Sequence, residues 1–225
     1  MGNPQNKAAL FEQFARVGKA LGNGKRLELL DLLAQGERSV ESLAAAAGQG
    51  LTTASANLQA LKHAGLVTTR RDGTRVNYAL AGPDVAALYS LVREVAQTRI
   101  ADVEASRVAY LGLDDEAVGA QREMSRGELL AAVEAGTVTV IDVRPPEEYA
   151  AAHVPGALSI PLTELSSRLA ELPATGRIVA YCRGAYCVLA YEAVTMLVRR
   201  GFRAERLVDG MLEWKLAGLP TSVAA

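Results

Sequence analysis

The feature that most restricts the fold of this chain is a six-residue segment, residues 182–187, which contains both of its cysteines. The segment follows an apolar, strand-like run over residues 178–181 and precedes a helix-like run over residues 188–198. A cysteine at such a turn faces loop amides and a helix N-terminus, so we expect a lowered thiol pKa and an anion-binding loop. The alternative is a buried structural cysteine, but Arg183 and Gly184 suit an anion-binding loop better than a core.

Strand-like and helix-like segments alternate through the C-terminal half of the chain. Residues 137–142 form a near-continuous apolar run, which is typical of a buried parallel strand, and further strands are expected at 178–181 and 204–208. This alternation predicts an α/β domain with a parallel sheet, whose functional residues lie at the carboxyl ends of the strands. The residues predicted at those ends are Asp142, Arg144, Cys182, Asp209 and Gly210.

The two halves of the chain differ in charge. Residues 1–112 contain 13 Lys and Arg against 10 Asp and Glu, whereas residues 113–225 contain 11 against 15. A length of 225 residues fits one large or two small domains, and the charge difference indicates two functions without establishing nucleic-acid binding. We expect domains at residues 1–112 and 123–225, joined by an acidic linker over residues 113–122.

The N-terminus and the cysteine content indicate a reducing compartment. The first seven residues are polar and do not form a signal peptide, and no apolar run is long enough to span a bilayer. We therefore expect a cytoplasmic protein without a membrane partner, in which cysteines stay reduced and serve catalysis or redox chemistry rather than a structural disulfide. Two cysteines alone make a poor metal site, so no metal or other cofactor is expected.

The N-terminal half predicts four helices. A second helix is expected over residues 25–34, a third is capped by Ser39, and a fourth, capped by Thr52 or Thr53, runs to His63. The first helix is predicted from apolar residues at helical spacing, which makes it amphipathic. Those apolar residues are Leu10, Phe14, Val17 and Leu21.

A β-hairpin is predicted after the fourth helix, because two β-rich runs within residues 66–80 flank Asp72 and Gly73. This element order is that of a mainly α winged helix-turn-helix domain, whose fourth helix would enter the major groove while the hairpin contacts flanking phosphates or the minor groove. The alternative is a solvated polar helix face beside a charged hairpin. The residues predicted to contact DNA are Thr52, Thr53, Ser55, Asn57, Gln59, Lys62, Arg70, Arg71 and Arg75.

The sequence of residues 52–67, TTASANLQALKHAGLV, resembles the recognition helix of the ArsR family of bacterial repressors. The likeness lies in its Ser-x-x-Leu-x-x-Leu core and the Ala-Gly-Leu-Val that follows, and it covers about residues 5–110. The resemblance implies a homodimer built on the first helix and a last helix, here over residues 84–110. Four apolar residues at spacings of three or four support this helix pairing, although the same stripe could pack on its own domain. They are Val85, Leu88, Val92 and Val95.

The chain departs from the ArsR-family sensors of metals and of sulfide. Metal-sensing members carry cysteines on the third helix, or histidine and acidic ligands on the last, and thiol-based members carry a cysteine pair. Here no cysteine precedes Cys182, and the last helix of this half has no histidine. Any thiol sensing is therefore expected in the C-terminal half.

The C-terminal half resembles a rhodanese domain over about residues 123–222. Besides the strand-end residues, the resemblance rests on Glu147-Glu148-Tyr149, on His153-Val154-Pro155-Gly156-Ala157, and on a Gly-Met-x-x-Trp run that begins at Gly210. It implies that Cys182 is the nucleophile that takes sulfane sulfur from a donor such as thiosulfate and passes it to a thiol or cyanide. The active-site loop would comprise Arg183, Gly184, Ala185 and Tyr186, with amides of residues 183–187 stabilising the persulfide.

The resemblance also assigns roles around the loop. Phosphatases and arsenate reductases of this architecture use Cys-x5-Arg, and Val188 stands at the arginine position, which disfavours their chemistry. Arg183 would attract anionic donors, or remain a solvated surface charge. Cys187 could attack a Cys182 persulfide as a resolving thiol, unless the tight loop holds the two sulfurs at an unsuitable angle. Asp142 and Arg144 are expected to support the loops as an ion pair rather than to act as acid and base.

These observations predict a two-domain protein, a winged helix-turn-helix domain followed by an α/β rhodanese-like domain. We expect a homodimeric transcriptional repressor that binds a double-stranded DNA operator and senses a small sulfur donor, or another thiophilic species, through a Cys182 persulfide. The alternatives are a sulfurtransferase that uses the winged helix for dimerisation or docking, and a regulator whose rhodanese half is a passive interaction module. Sulfurtransferase activity would accompany the first role and define the second.

Overall fold

In the computed structural model of the protein, residues 3–113 and 121–224 are described. The chain forms two compact units, Met1–Leu91 and Val92–Ala225. Of the predicted linker over residues 113–122, residues 114–120 lie outside the described part.

The first unit has the winged helix-turn-helix order predicted from the sequence. Its three-stranded antiparallel sheet has the strand order β1-β3-β2, and β2 and β3 form the predicted hairpin. Helix α5 begins in this unit and continues into the second. The elements are α1 (Pro4–Leu21), α2 (Gly24–Gln35), β1 (Arg38–Ser39), α3 (Val40–Ala46), α4 (Leu51–His63), β2 (Val67–Asp72), β3 (Arg75–Leu80) and α5 (Pro83–Arg99).

Of the N-caps predicted for α3 and α4 in this unit, one is confirmed and the other is wrong. Ser39 caps α3 as expected, because its side chain accepts a hydrogen bond from the Ser42 amide. The prediction that Thr52 or Thr53 caps α4 is wrong, since the helix begins one residue earlier and has Gly50 at its N-cap. Both threonines therefore lie within the first turn of the helix, with their side chains exposed.

The single long helix predicted over residues 84–110 is also wrong, because the structure divides it into α5 and α6 (Asp102–Leu111). At the end of α5, the Thr98 hydroxyl donates to the carbonyl oxygens of Glu94 and Val95, which are helix acceptors. The β-branched Ile100 follows, and Asp102 favours a new helix start through its charge at the N-terminus.

The second unit has the predicted α/β architecture with a five-stranded parallel sheet in the order β4-β8-β7-β5-β6. The two-residue strands β4 and β6 were not predicted. Its elements after α6 are β4 (Glu123–Met124), α7 (Arg126–Glu134), β5 (Val138–Asp142), α8 (Pro146–Ala151), β6 (Leu158–Ser159), α9 (Leu162–Leu165), a 3-10 turn (Leu169–Glu171), β7 (Arg177–Tyr181), α10 (Val188–Arg199), β8 (Arg203–Leu207) and α11 (Met211–Leu216).

The central strand β7 shows why this sheet is covered on both faces. Its residues alternate between two buried clusters: Ile178 and Ala180 lie in one, which includes residues of α9 and α10, and Val179 and Tyr181 lie in the other, which includes residues of α7 and α11. Because both sets are apolar, the strand reads as a continuous hydrophobic run.

The end of this sheet that carries Cys182 is held together by a close backbone approach. The amides of Met211 and Leu212 donate to the carbonyl oxygens of Cys182 and Arg183, each at 3.0 Å. A Cβ atom on Gly210 would lie 2.5 Å from the Arg183 carbonyl carbon, a distance that real Cβ contacts do not reach. Glycine at this position therefore permits the loop to dock on the start of α11.

Gly210→Ala should destabilise the second unit by about 1–3 kcal/mol or more, because the added methyl group overlaps the loop backbone. The measurement is denaturant unfolding followed by the fluorescence of Trp214, the single tryptophan, which is fully buried in this unit. Gly127→Ala is the matched control, since it adds a methyl group to α7 with nothing within 4 Å. Equal stability losses in the two variants would contradict the close approach.

Candidate functional site

The predicted DNA-contacting residues of α4 lie mostly on the surface of the first unit. Thr52, Thr53, Gln59 and Lys62 are exposed, while Ser55 and Asn57 are partly buried. On the inner side of the helix, apolar side chains anchor it to the core of the unit. The fully buried anchors are Ala54, Leu58 and Leu61.

Polar side chains of α4 also fix the helix to its neighbours. The Gln59 Nε2 atom donates to the Tyr78 hydroxyl of β3 at 2.8 Å, and the Lys62 Nζ atom donates to the Thr69 hydroxyl of β2 at 2.9 Å. These two hydrogen bonds hold the C-terminal half of α4 against the hairpin.

The three hairpin arginines do not share one environment. Arg70 forms a bidentate ion pair with Glu37 and a longer contact of 3.8 Å with Asp72. This pairing reduces its capacity to meet phosphate. Arg71 and Arg75 are exposed on the two strands of the hairpin, at positions suited to phosphate contacts.

The apolar residues of α1 and α5 that were predicted to pair the helices in a homodimer fall into two groups by their burial. Val85 is buried within the chain, so this part of the α5 stripe packs on its own unit, as the alternative proposed. By contrast, large apolar side chains on both helices are more than half exposed. They are Leu10, Phe11 and Phe14 on α1, and Leu91 and Val95 on α5.

In the second unit, Cys182 follows β7 directly, at the carboxyl end of the central strand, as predicted. The residue is only 2% exposed and belongs to the cluster that includes residues of α10. Its thiol donates to the carbonyl oxygen of Cys187 at 3.3 Å and lies 3.8 Å from that of Gly184. Cys187 is partly buried and occupies the N-cap position of α10.

The expectation of a lowered Cys182 pKa is wrong. Burial raises the pKa of the Cys182 thiol well above its usual value, and the neighbouring Cys187 sulfur adds to this effect. The pKa of Cys187 is lowered instead, and the largest cause is the neighbouring Cys182 thiol. The sulfur that carries negative charge most readily is therefore that of Cys187.

The backbone amides of the loop do not all serve the role that the resemblance implies for residues 183–187, the stabilisation of a persulfide. The Cys187 amide donates to the Gly184 carbonyl oxygen at 3.1 Å. Backbone amides of Gly184 and Ala190 lower the pKa of the Cys182 thiol and so oppose the effect of burial, and Ala190 belongs to the start of α10, which the sequence interpretation did not include. This combination of loop and helix amides can stabilise negative charge on a sulfur bound there.

Arg183 is not a solvated surface charge, and its attraction of anionic donors stays a prediction. Its guanidinium forms a bidentate pair with Glu148, with an Nη2–Oε1 distance of 2.7 Å, and the Glu148 side chain is 1% exposed. The pair connects the Cys182 loop to α8.

Asp142 and Arg144 form the predicted ion pair, and both are fully buried. The Arg144 Nε atom donates to the Asp142 carboxylate at 2.9 Å, and the Tyr181 hydroxyl donates to the same carboxylate at 2.6 Å. Burial raises the pKa of Tyr181, so this hydroxyl stays protonated. His153 is buried as well, and it stacks on Tyr149 with ring centres 3.7 Å apart.

Two residues beside the loop were missed by the sequence interpretation, Arg93 of α5 and Glu213 of α11. Arg93 forms an ion pair with Glu213 at 3.1 Å and places its guanidinium 4.7 Å from the ring centre of Tyr186. Glu213 accepts a hydrogen bond from the backbone amide of Gly210, the N-cap residue of α11, at 3.0 Å. Neither residue carried a recognisable local signal, and Arg93 lies 120 residues before Glu213 in the sequence.

Within residues 3–113 and 121–224, no helix has the length and apolar character needed to cross a membrane.

Comparisons with known proteins match both halves. The family described as helix-turn-helix domain matches residues 21–70, and the family described as rhodanese-like domain matches residues 125–217. The HTH-type transcriptional regulator Rv0324 of Mycobacterium tuberculosis is 57% identical over 224 residues, which cover 100% of this chain and 96% of that protein.

Other similar proteins match one half only. A sulfurtransferase of Allochromatium vinosum is 33% identical over 84 residues, which cover 37% of this chain and 77% of that protein. The solution structure of the homodimeric winged helix-turn-helix DNA-binding domain of Mb0332 from Mycobacterium bovis is 62% identical. It covers 44% of this chain and 93% of that domain, with a TM-score of 0.42.

Arg144→Ala should lower the free energy of unfolding of the second unit by about 3–5 kcal/mol, because it leaves the buried Asp142 carboxylate without its cation. Trp214 fluorescence during denaturant unfolding reports this loss. Arg168→Ala is the matched control, because Arg168 pairs with Glu164 and Glu171 at the surface and should contribute less than about 1 kcal/mol. A loss for Arg144→Ala no larger than the control would show that the buried pair does not support the loops.

Proposed function

Since the chain belongs to the ArsR-type HTH transcriptional regulators that carry a C-terminal rhodanese-like domain, we propose that it senses reactive sulfur through a persulfide on Cys182 and thereby changes its affinity for operator DNA. The observation that carries the proposal is the position of Cys182. It follows the central strand and lies against backbone amides at the start of a helix. Such a regulator acts where the DNA is, in the cytoplasm.

The operator-binding surface proposed for the first unit consists of α4 and the hairpin. Thr52, Thr53 and Gln59 offer short polar groups on an exposed helix face, which suits the donor and acceptor pattern of base edges in the major groove. Arg71 and Arg75 extend from the hairpin and would meet phosphates or the adjacent minor groove. Arg70 is assigned a lesser role, because Glu37 already neutralises it.

A homodimer is proposed from the apolar side chains that α1 and α5 leave exposed. Phe11 and Phe14 pack edge to face with ring centres 5.7 Å apart, yet they remain 57% and 59% exposed. On α5, Leu91 and Val95 are exposed to a similar degree. Large apolar side chains left exposed in this way are stabilised by burial in an interface. A second copy of the chain would provide the partner surface, and the resulting twofold symmetry would match a palindromic operator.

The sulfur transfer proposed for Cys182 requires neither an oxidant nor a reductant. When an organic hydropersulfide donates, the S–S bond of the donor breaks, a new S–S bond forms on the protein, and the donor leaves as a thiol with its proton. The resulting terminal sulfur is anionic near neutral pH and would accept hydrogen bonds from the amides of Gly184 and Ala190.

Helix α5 offers a route from the loop to the proposed dimer surface. Leu91 and Val95 lie on the same helix as Arg93, and Arg93 contacts both Tyr186 of the loop and Glu213. A persulfide needs more room than a thiol, so it would favour a loop conformation in which these contacts are rearranged. If the two conformations differ in DNA affinity, sulfur binding and DNA binding are thermodynamically coupled.

A plain sulfurtransferase is the second candidate, because the second unit resembles the Allochromatium vinosum sulfurtransferase. Catalytic turnover with thiosulfate or a persulfide, without any effect on DNA binding, would identify this role. The raised pKa of Cys182 argues against fast turnover by this thiol alone, because the thiolate is the reactive form.

The decisive prediction concerns DNA containing the upstream region of the gene, with binding measured by fluorescence anisotropy. An organic hydropersulfide should change the Kd of the wild type by about tenfold, which is a coupling free energy of about 1.4 kcal/mol, and should leave Cys182→Ser unchanged. The repressor prediction specifies a weaker complex in the presence of the donor.

One control variant and one refuting outcome complete this experiment. Arg71→Ala with Arg75→Ala should weaken binding with and without the donor and should flatten the dependence of Kd on salt, because two phosphate contacts are lost. Identical, tight binding by the wild type and Cys182→Ser under all conditions would refute the sensor function.

Arg93→Ala should reduce the response of DNA binding to the donor from about tenfold to a few-fold, because the contact between α5 and the loop is removed. Mass spectrometry should still find the persulfide, which would separate a loss of coupling from a loss of chemistry. Arg99→Ala is the matched control on the same helix, since Arg99 is exposed. A full response in Arg93→Ala would rule out this route.

A further inference from the structure

The two cysteines of the loop differ in accessibility. Cys182 is 2% exposed and lies in the apolar cluster beside Val143, Ala190 and Ala193. Cys187 is only partly buried and stands at the first turn of α10. A donor that approaches from solvent therefore meets the Cys187 sulfur more readily.

Hydrogen bonds also distinguish the two sulfurs. The pKa of Cys187 is lowered by the Cys182 thiol, by the backbone amides of Arg183 and Leu189, and by the Arg183 charge. The Cys182 thiol, in contrast, is hydrogen-bonded as a donor and keeps its proton. These contacts stabilise the thiolate at Cys187 and the thiol at Cys182.

A cavity beside the loop indicates where a donor could bind. Its volume is about 480 Å³, and its wall includes Tyr186, the residue before Cys187. The rest of the wall exposes mainly apolar surface from Ile100, Val103 and Tyr110 of α6 and the turn before it, and it also includes Ser106 and the charged side chains of Asp102 and Arg107. This lining suits the organic part of a small hydropersulfide better than a compact, strongly hydrated dianion such as thiosulfate.

We propose that Cys187 is the first sulfur acceptor, which takes the sulfane sulfur from an organic hydropersulfide and passes it to the buried Cys182. The inference rests on the proposed function, because it assigns the order of events that leads to the Cys182 persulfide. In this proposal Cys187 passes sulfur on to Cys182 and does not act as a resolving thiol that forms a disulfide with it.

Both steps balance without an oxidant or reductant. In the first, the Cys187 thiolate attacks the outer sulfur of the donor R–S–SH, the donor S–S bond breaks, and R–SH leaves with the proton. In the second, the Cys182 sulfur attacks the outer sulfur on Cys187 and the Cys187–sulfur bond breaks. The Cys182 proton is transferred to the departing Cys187 sulfur.

The test is rapid-mixing persulfide mapping on the full-length dimer with cysteine hydropersulfide as the probe, followed by alkylation and mass spectrometry. In the wild type, the added sulfur should appear first on Cys187 and later on Cys182. In Cys182→Ser and Cys182→Ala it should remain on Cys187. In Cys187→Ser, Cys182 should gain sulfur about tenfold more slowly or worse, because the buried Cys182 thiol has lost the more accessible neighbour that accepts sulfur first.

Alkylation by iodoacetamide across a pH series gives a second readout that does not depend on the donor. Cys187 should react at a lower pH than Cys182, because its pKa is the lowered one of the pair. Melting curves should show that the serine and alanine variants are folded, and only folded variants enter the comparison.

The inference is overturned if Cys182 gains sulfur first in the wild type, or at an unchanged rate in Cys187→Ser. It is also overturned if the product is a Cys182–Cys187 disulfide with release of hydrogen sulfide. Anisotropy on the same samples tests the proposed function separately. A DNA response with sulfur loading directly at Cys182 refutes the relay alone, whereas ordered loading without any DNA response refutes the sensor alone.

Discussion

The arrangement of the second unit depends on the docking of the Cys182 loop onto the N-terminus of α11. Two backbone carbonyl groups of the loop, those of Cys182 and Arg183, accept the first amides of α11, which would otherwise lack helix partners. Gly210 permits this approach because a Cβ atom would collide with the loop. The loop conformation, and with it the position of the Cys182 sulfur, is thus tied to the start of a neighbouring helix.

The same docking makes the loop sensitive to charges around it. Glu213 caps α11 and pairs with Arg93, while Arg183 pairs with the buried Glu148. Burial raises the pKa of Glu213, and the Arg93 charge opposes this shift. A change in the loop therefore alters ion pairs that are largely withdrawn from water, where their interaction energy is greater than at an exposed surface.

Periodicity and strand-end position were sufficient to predict much of this structure. The apolar run over residues 137–142 predicted β5 because both faces of that strand are covered, and Cys182 could be placed at a strand end for the same reason. Strands β1 and β6, of two residues each, carry too little pattern to be recognised. The break between α5 and α6 is marked by neither proline nor glycine, and the Arg183–Glu148 and Arg93–Glu213 pairs depend on tertiary contacts, so local sequence signals could not reveal them.

The thiol pKa shows most directly why position in the chain does not determine reactivity. A helix N-terminus and loop amides do lie beside the cysteines, as the sequence indicated, but two sulfurs compete for them. Burial of Cys182 opposes its ionisation, and the Cys182 thiol favours the charged form of Cys187. The lowered pKa that was expected for Cys182 is therefore found for Cys187. A sulfur that must end on a buried cysteine then requires either a conformational opening of the loop or an accessible neighbour that accepts it first.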